Sequence, residues 1–392
     1  MNHRLTVATF VLASGPLVLG YGGEVAAVGV ELYRLPAPDL EPGAFAASLA
    51  IDDGQVAIGR FIDNDDDSDG AVYLFDVASG SLQQQLSPTA GNPIGNSVGL
   101  DDGVVVAGDY YDDGLGFGTG AAFLFDAATG AQTNELTPDD ASGFSFFGVS
   151  VAIDDGVAAI AAPEADGFYL FDVAAGDQIL KADTDQHTYA SEVAIDGDYV
   201  AVAGQGEAAV VDATDGELLH ELDLAGTRFG EVIASNDGMV IAGANRNEHA
   251  GANSGAVYVF DAATGQQIVR LVADDAQAGD FFGTSVAIDN GIAIVGASGE
   301  DSAADNGGAA YLFDVITGEQ IAKLTGSDIG AGSRFGSSVA IGEGYAVVGA
   351  AGHDGGRGAA YVFATMVIPE PTTVLLASLV VLLSSARAQG RR

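Results

Sequence analysis

The stretch from Ser285 to Gly296, SVAIDNGIAIVG, decides the fold, because a version of it recurs along the chain. Every version has a glycine at the same place, and these marker glycines are Gly54, Gly103, Gly156, Gly197, Gly238, Gly291 and Gly344. Their spacings are 49, 53, 41, 41, 53 and 53 residues. A sevenfold repeat of this period is typical of β-propellers, in which each repeat forms one four-stranded blade.

Each unit contains four candidate strands. In the sixth unit, Ser285–Ile288 and Ile292–Gly296 flank a tight turn that ends in Gly291. A second recurring phrase, AAYLFDVITG, supplies the third strand at Ala309–Asp314, and Gln320–Leu324 is the fourth. The second and third strands are apolar on both faces, as a sheet packed between two neighbouring sheets requires.

The strand count predicts how the ring closes. Six units have a fourth strand, whereas the last unit ends after its third, AAYVF. An unassigned strand, Glu31–Leu35, precedes the first unit. We therefore predict an all-β, seven-bladed β-propeller over residues 28–365, closed by strand 31–35 joining the last blade. Such closure removes an exposed sheet edge.

Composition excludes several classes of function. Lys and Arg number 13 against 55 Asp and Glu, and this net charge of −42 lacks the basic surface that nucleic acids require. Cysteine is absent, which excludes thiol catalysis and Cys-ligated metals. No HExxH, Walker or nucleotide-binding motif occurs, so we assign neither catalytic nor cofactor-binding residues. Asp113–Gly120 is interpreted as a hairpin loop, and the loop residues His187 and His353 are expected to be solvated.

The N-terminus has the order of a secretory signal peptide. Arg4 precedes the mostly apolar segment Leu5–Leu19, and small residues follow. We predict a signal peptide over about residues 1–27; the alternative is a buried first strand.

A second set of residues resembles the FG-GAP repeat, known from integrin α-subunits and bacterial surface proteins. The FG pairs are Phe147-Gly148, Phe229-Gly230, Phe282-Gly283 and Phe335-Gly336, with a degenerate Phe45-Ala46. The resemblance covers about residues 31–364 and implies a propeller that acts in binding. Family members often hold calcium in a DxDxDG loop between the first and second strands. Here that loop has shrunk to DDG or DNG, which departs from the family pattern.

One acidic loop, DNDDDSDG from Asp63 to Gly70, lies instead between the second and third strands of the first unit. Alternating acids that end in glycine have the spacing that wraps oxygen ligands around Ca²⁺. The candidate metal ligands are Asp63, Asp65, Asp67 and Asp69. Asp76, at the twelfth position, ends a strand and is expected to point elsewhere. The alternative is a solvated acidic loop without metal.

The C-terminus, residues 366–392, resembles the PEP-CTERM sorting signal of exopolysaccharide-producing Gram-negative bacteria. The matching features are Pro369-Glu370-Pro371, the apolar run Val374–Leu383, and the basic residues Arg387, Arg391 and Arg392. The resemblance implies transient membrane anchoring and cleavage by an exosortase-type enzyme. A short tail anchor is the alternative, although the apolar run is shorter than a membrane span.

Loops between second and third strands vary most, as expected where a scaffold carries binding residues. The first two contain Phe61, Tyr110, Tyr111 and Phe117, which suit contact with a sugar or a peptide, unless they only pack their own loops. We predict a secreted or cell-surface binding, adhesion or matrix module whose partner is polysaccharide or a surface protein. The alternatives are a propeller hydrolase or lyase with a site at the central channel, and a passive acidic matrix protein.

Overall fold

The structure is a computed structural model that describes residues 18–21, 24–38, 43–61, 70–89, 93–141, 143–165, 167–183, 190–222 and 232–365. Strands β1 (Val18–Tyr21) and β2 (Glu24–Ala27) form a two-stranded antiparallel sheet, and β3 is Val30–Pro36. Helical structure in these ranges is limited to a 3₁₀ turn at Pro163–Ala165 and a four-residue helix α1, His353–Gly356. Neither has the length that crossing a membrane would require.

Seven four-stranded antiparallel sheets make up the rest of the described chain, and each is one blade. Blades 1 to 3 are built from β4 Ala44–Asp52, β5 Gln55–Phe61, β6 Ala71–Asp76, β7 Leu82–Leu86; β8 Val98–Asp101, β9 Val104–Asp109, β10 Ala121–Asp126, β11 Gln132–Leu136; and β12 Val151–Asp154, β13 Val157–Ala162, β14 Gly167–Asp172, β15 Gln178–Asp183. Blades 4 and 5 are built from β16 Glu192–Asp196, β17 Tyr199–Gly204, β18 Glu207–Asp212, β19 Leu218–Leu222; and β20 Val232–Asn236, β21 Met239–Ala244, β22 Ala256–Asp261, β23 Gln267–Leu271. Blades 6 and 7 are built from β24 Phe282–Asp289, β25 Ile292–Ala297, β26 Ala309–Asp314, β27 Gln320–Leu324; and β28 Phe335–Gly342, β29 Tyr345–Ala350, β30 Ala359–Ala364, completed by β3.

The blades form a closed ring. The first strand of each blade contacts the first strand of the next, and β28 of blade 7 returns to β4 of blade 1. Strand β3 pairs antiparallel with β30, placing Leu35 opposite Ala360. The predicted closure is therefore confirmed, with a strand one residue longer at each end than the sequence indicated. The units around Gly197 and Gly238 are complete four-stranded blades, blades 4 and 5.

Apolar residues fill every interface between neighbouring blades. Within the described ranges they form seven clusters, one for each pair of adjacent blades. Because each blade is buried on both faces, its middle strands have no polar face, which explains their sequence. The protein therefore has a core distributed around the ring rather than one central core.

The FG pairs have a packing role in this core. Phe147 is fully buried. Its ring packs edge to face against Tyr169 and Phe171, with ring centroids 5.5 and 5.8 Å apart. The same packing recurs at Phe45, Phe282 and Phe335. Gly148 has φ 90°, and a Cβ there would lie 2.4 Å from the carbonyl oxygen of Ala121. Glycine at position 148 avoids this clash, whereas blade 1 has Ala46, with φ 63°, at the equivalent position.

The equivalent Phe282-Gly283 pair also corrects a strand boundary. β24 begins at Phe282 instead of the predicted Ser285, because a bulge around Gly283 lets pairing resume at Ser285.

The turn between third and fourth strands is capped by the aspartate that ends the third strand. Asp76 Oδ1 accepts hydrogen bonds from the Ser79 amide at 2.7 Å and the Ser79 hydroxyl at 2.6 Å. The Ser79 hydroxyl lowers the pKa of Asp76. Asp126, Asp261 and Asp314 cap the corresponding turns. The prediction that Asp76 points away from the acidic loop is therefore confirmed.

Candidate functional site

The two rims of the ring carry different connections. Because strands alternate in direction, the turns between strands 1 and 2 and between strands 3 and 4 lie on one rim. The longer loops between strands 2 and 3, and between one blade and the next, lie on the other. We call the second one the loop rim.

On the loop rim, long loops of adjacent blades are joined by hydrogen bonds in a repeated arrangement, which we call a zipped loop pair. Between blades 2 and 3, the amides of Phe144, Phe146 and Phe147 donate to the carbonyls of Phe117, Gly118 and Thr119 at 2.8, 3.1 and 3.1 Å. The same three bonds recur between blades 5 and 6, from Gly279, Phe281 and Phe282 to Ala252, Asn253 and Ser254, and between blades 6 and 7, from Gly332, Arg334 and Phe335 to Asp305, Asn306 and Gly307. Positions in the three pairs can thus be compared one by one.

This comparison shows that aromatic residues are concentrated on the pair between blades 2 and 3. Phe117 stands where the other two pairs have Ala252 and Asp305. Phe144 stands where they have Gly279 and Gly332. Upstream in the same loop, Tyr111 occupies the position of Arg246 and Gly299. This alignment rests on one backbone hydrogen bond that the three loops share, from Gly120 to Asp112, from Gly255 to Asn247 and from Gly308 to Glu300. The backbone scaffold is common to the three pairs, and the rings are specific to one.

These side chains form one surface, the aromatic platform, which consists of Phe61, Tyr110, Tyr111, Phe117, Phe144 and Phe146. Tyr110 lies 5.8 Å from Phe61, 4.2 Å from Tyr111 and 6.4 Å from Phe146, measured between ring centroids. Phe117 and Phe144 form a second group at 5.2 Å. Gly118 lies between the two groups, because a Cβ there would be 3.6 Å from Phe146 and 3.7 Å from Phe144.

The platform is exposed to solvent. Tyr111 is 53% exposed, Phe144 58% and Phe117 69%. Large apolar side chains clustered on a surface mark interaction sites more often than scattered ones do. The sequence prediction named Phe61, Tyr110, Tyr111 and Phe117; the structure brings the first three together, while Phe117 packs against Phe144. It missed Phe144 and Phe146, which come from the loop between blades.

Phe144 has an unfavourable backbone conformation. Its φ is 66°, in the left-handed region, where the equivalent Gly279 and Gly332 have φ 93° and 73°. A non-glycine residue there costs about 1–2 kcal/mol. The positive φ of Phe146 is different, because Phe281 and Arg334 share it and it belongs to the repeat. A strained, exposed aromatic side chain in place of glycine favours a functional role.

Acidic residues lie in the same loops as the platform rings. Asp112 and Asp113 lie in the same loop as Tyr111, and Asp139 and Asp140 lie in the loop that carries Phe144. Asp109, at the end of β9, is 2% exposed, and burial raises its pKa to about 7, with the charges of Asp112 and Asp113 adding to the rise. Its Oδ1 accepts the Tyr111 amide at 3.1 Å, while Oδ2 has no partner among the described residues.

The loop that carries Phe144 is braced from below. Asp140 accepts hydrogen bonds from the Tyr169 hydroxyl at 2.7 Å and from Lys181 Nζ at 3.0 Å. These contacts lower the pKa of Asp140, with the Tyr169 bond contributing most. Equivalent braces join Tyr311, Asp275 and Lys323, and Tyr361, Asp328 and Arg34. The scarce basic residues therefore hold loops in place, a role that the sequence analysis did not identify.

The opposite rim carries the DDG turns, and their acids link neighbouring blades. Asp52 Oδ2 accepts the amide of Asp102 in the next blade at 3.0 Å. Four similar bonds join Asp154 to Gly197, Asp196 to Gly238, Asn236 to Asn290, and Glu343 to Gly54. Carboxylate oxygens of Asp52, Asp53 and Glu343 come within 4.8 Å of one another, a spacing that could hold a cation.

Several acids with raised pKa predict how stability depends on pH. Burial, with the charges of Asp154, Asp52 and Asp102, raises the pKa of Asp101 to about 6. Burial also raises the pKa of Glu192 to about 7; Glu192 begins β16 at a position where five other blades have serine. In the window from about pH 4 to pH 7 the folded state therefore binds more protons than the unfolded state, and stability falls as pH rises.

We expect the thermal midpoint to rise when pH is lowered from 8 to 5 at constant ionic strength. Asp109→Asn keeps an acceptor for the Tyr111 amide and removes one raised pKa, so it should raise the midpoint at pH 8 and change it little at pH 4.5. Calorimetry at these pH values measures both effects. A midpoint that stays level or falls between pH 8 and pH 5 would show that these carboxyls titrate normally.

Other predicted residues have mixed outcomes. Asp63, Asp65, Asp67, Asp69 and the residues of the predicted sorting signal lie outside the described residues, as do His187 and Phe229. Asp113–Gly120 is a hairpin loop between β9 and β10, as predicted.

The prediction that His353 is solvated is wrong. His353 is 6% exposed, because the loop of blade 7 folds it against the Tyr361 ring. Its Nε2 accepts a hydrogen bond from Arg34 Nη1 at 2.9 Å. This contact could not be predicted from the repeat, because Arg34 comes from β3, the strand that closes the ring.

Comparison with known proteins agrees with the repeat packing. The family model of the FG-GAP repeat matches residues 266–313 and 319–363, which begin in β23 and end in β30. A search of curated proteins found no match to the chain. The matched segments contain the Phe282-Gly283 and Phe335-Gly336 pairs, whose rings and glycines pack as described above. The protein is therefore a seven-bladed β-propeller in which two segments, residues 266–313 and 319–363, are similar to the FG-GAP repeat.

Proposed function

We propose that this protein is a secreted or cell-surface binding module that holds polysaccharide at the aromatic platform. The observation that carries the proposal is the platform itself, with six rings on one rim of a rigid ring. The FG-GAP propeller fold is consistent with a binding or adhesion role. The order of features at both chain ends supports export and sorting to the surface.

The platform has the chemistry that sugar binding uses. The C–H face of a pyranose is apolar and stacks on an aromatic ring, whose large contact area costs little side-chain entropy. Carboxylates at the edge of such a surface accept hydrogen bonds from sugar hydroxyls, and the exposed Asp113 is bonded to Gly118, next to Phe144 and Phe146. Several rings in a row suit a chain of sugars better than a single one.

A binding screen of the full-length protein on a glycan array, followed by titration, tests this proposal. We expect wild type to bind one class of glycan, and Tyr111→Ala/Phe117→Ala to bind it about 10- to 100-fold more weakly, since two stacking contacts are lost. Leu218→Ala/Ile316→Ala is a matched control, because it removes two exposed apolar side chains outside the platform. Both variants should unfold at the wild-type temperature, as all four side chains are exposed.

Two results would contradict the proposal. One is an array without specific binding, which favours a passive acidic matrix role. The other is equal binding by wild type and the platform variant, which places the ligand elsewhere. Repeating the screen with calcium and with chelator tests the Ca²⁺ site predicted at Asp63, Asp65, Asp67 and Asp69. If calcium bound there supports glycan binding, calcium should strengthen binding by wild type and have no effect on Asp65→Asn/Asp67→Asn.

A further inference from the structure

The charge around the platform narrows the ligand class. Between residues 37 and 180 the chain has one basic residue, Arg60, and no histidine. Arg60 is 3% exposed, so it offers no cation to a ligand at the surface. Lys181, the next basic residue, is held by Asp140 and Asp183. In the described part of blades 1 to 3, an anionic ligand therefore meets carboxylates without a compensating cation.

The same surroundings attract a cation. Asp113 is exposed and accepts the amide of Gly118, which lies next to Phe144 and Phe146, and the faces of Tyr and Phe rings attract ammonium groups through their quadrupole. The net charge of −42 adds a long-range field of the same sign. Rings and carboxylates at one place form the combination that recognises a protonated amine together with the apolar face of the group that carries it.

We propose that the platform selects polysaccharides whose sugars carry protonated amino groups, rather than neutral or anionic polysaccharides. This inference rests on the proposed function. Each pyranose stacks on a ring, while its ammonium lies over a neighbouring ring and against a carboxylate. Uronate-rich and sulfated polysaccharides are excluded by repulsion.

Matched oligosaccharides test the inference. We expect a deacetylated β-linked glucosamine oligomer to bind at least about tenfold more tightly than its N-acetylated counterpart at pH 6, and an alginate oligomer not to bind. Raising sodium chloride from 50 to 500 mM should weaken binding of the deacetylated oligomer several-fold and leave binding of the acetylated one nearly unchanged.

A pair of variants separates the platform from the general negative charge. Asp113 accepts the Gly118 amide through Oδ1 at 2.6 Å, and Asp301 in blade 6 accepts the Asn306 amide at the same distance. Asn at either position keeps an acceptor and removes one charge. We expect Asp113→Asn to weaken binding of the deacetylated oligomer about threefold and Asp301→Asn to leave it unchanged.

The outcomes distinguish this inference from the proposed function. Equal binding of acetylated and deacetylated oligomers, lost in Tyr111→Ala/Phe117→Ala, would overturn amine selectivity and leave platform binding intact. Binding of the deacetylated oligomer that neither the aromatic variant nor Asp113→Asn weakens would overturn both. Tighter, platform-dependent binding of a lysine oligomer than of the deacetylated sugar would overturn the choice of a polysaccharide in favour of a basic protein.

Discussion

Deletion of residues 1–36 is expected to abolish cooperative folding, because it removes β3. That strand is the fourth of blade 7, and its pairing with β30 joins the two ends of the chain. Leu35 is 2% exposed in the cluster between blades 7 and 1, and Arg34 braces Asp328. Burial of Leu35 alone contributes about 2–5 kcal/mol, and the lost pairing adds to this, against a total stability of about 5–15 kcal/mol for most domains.

Circular dichroism during thermal unfolding measures the loss. Deletion of residues 1–27 is the matched control, since it leaves β3 complete and should unfold at the wild-type temperature. In the full-length chain, Leu35→Asp should reproduce much of the damage by burying a charge between two blades. If deletion of residues 1–36 left a sharp transition at the wild-type temperature, closure by β3 would not support the ring.

Much of the fold could be predicted because the same pattern of strands and turns occurs seven times along the chain. The turn glycines indicated the period. The last unit lacks a fourth strand, and the unassigned strand at Glu31–Leu35 indicated how the ring closes. What each acid in the DDG turns does could not be predicted. Asp52 bonds to an amide 50 residues away, and only the packing of neighbouring blades brings the two turns together.

The site was predicted in part for a similar reason. Tyr110, Tyr111 and Phe117 were visible because they share one loop. Phe144 could be recognised only after its backbone bond to Phe117 aligned it with Gly279 and Gly332. Loops between blades differ in sequence, so the repeat alone does not supply that alignment.

Replacement of Phe144 by glycine is expected to weaken ligand binding without weakening the fold. The residue has φ 66° where two equivalent positions have glycine, so glycine relieves a cost of about 1–2 kcal/mol. Greater freedom of the unfolded chain offsets about 0.5–1 kcal/mol of that gain. The free energy of unfolding should therefore stay level or rise by up to about 1 kcal/mol, while loss of the ring should lower affinity about tenfold.

Phe144→Ala is the control that separates the effect of the ring on affinity from the effect of the backbone on stability. Alanine also lacks the ring but keeps a Cβ at positive φ, so both variants should lose affinity equally and Phe144→Gly should be the more stable of the two. A difference in affinity between the two would mean that loop conformation, rather than the ring, determines binding.

We infer that the chain holds a strained, exposed phenylalanine on a stable ring because this side chain binds a ligand. The most direct test measures denaturant unfolding and affinity for the deacetylated oligomer on the same preparations of wild type and Phe144→Gly. We expect Phe144→Gly to be as stable as wild type or more stable, and to bind the oligomer clearly more weakly. Lower stability with unchanged affinity would contradict it, because Phe144 would then serve the fold rather than the site.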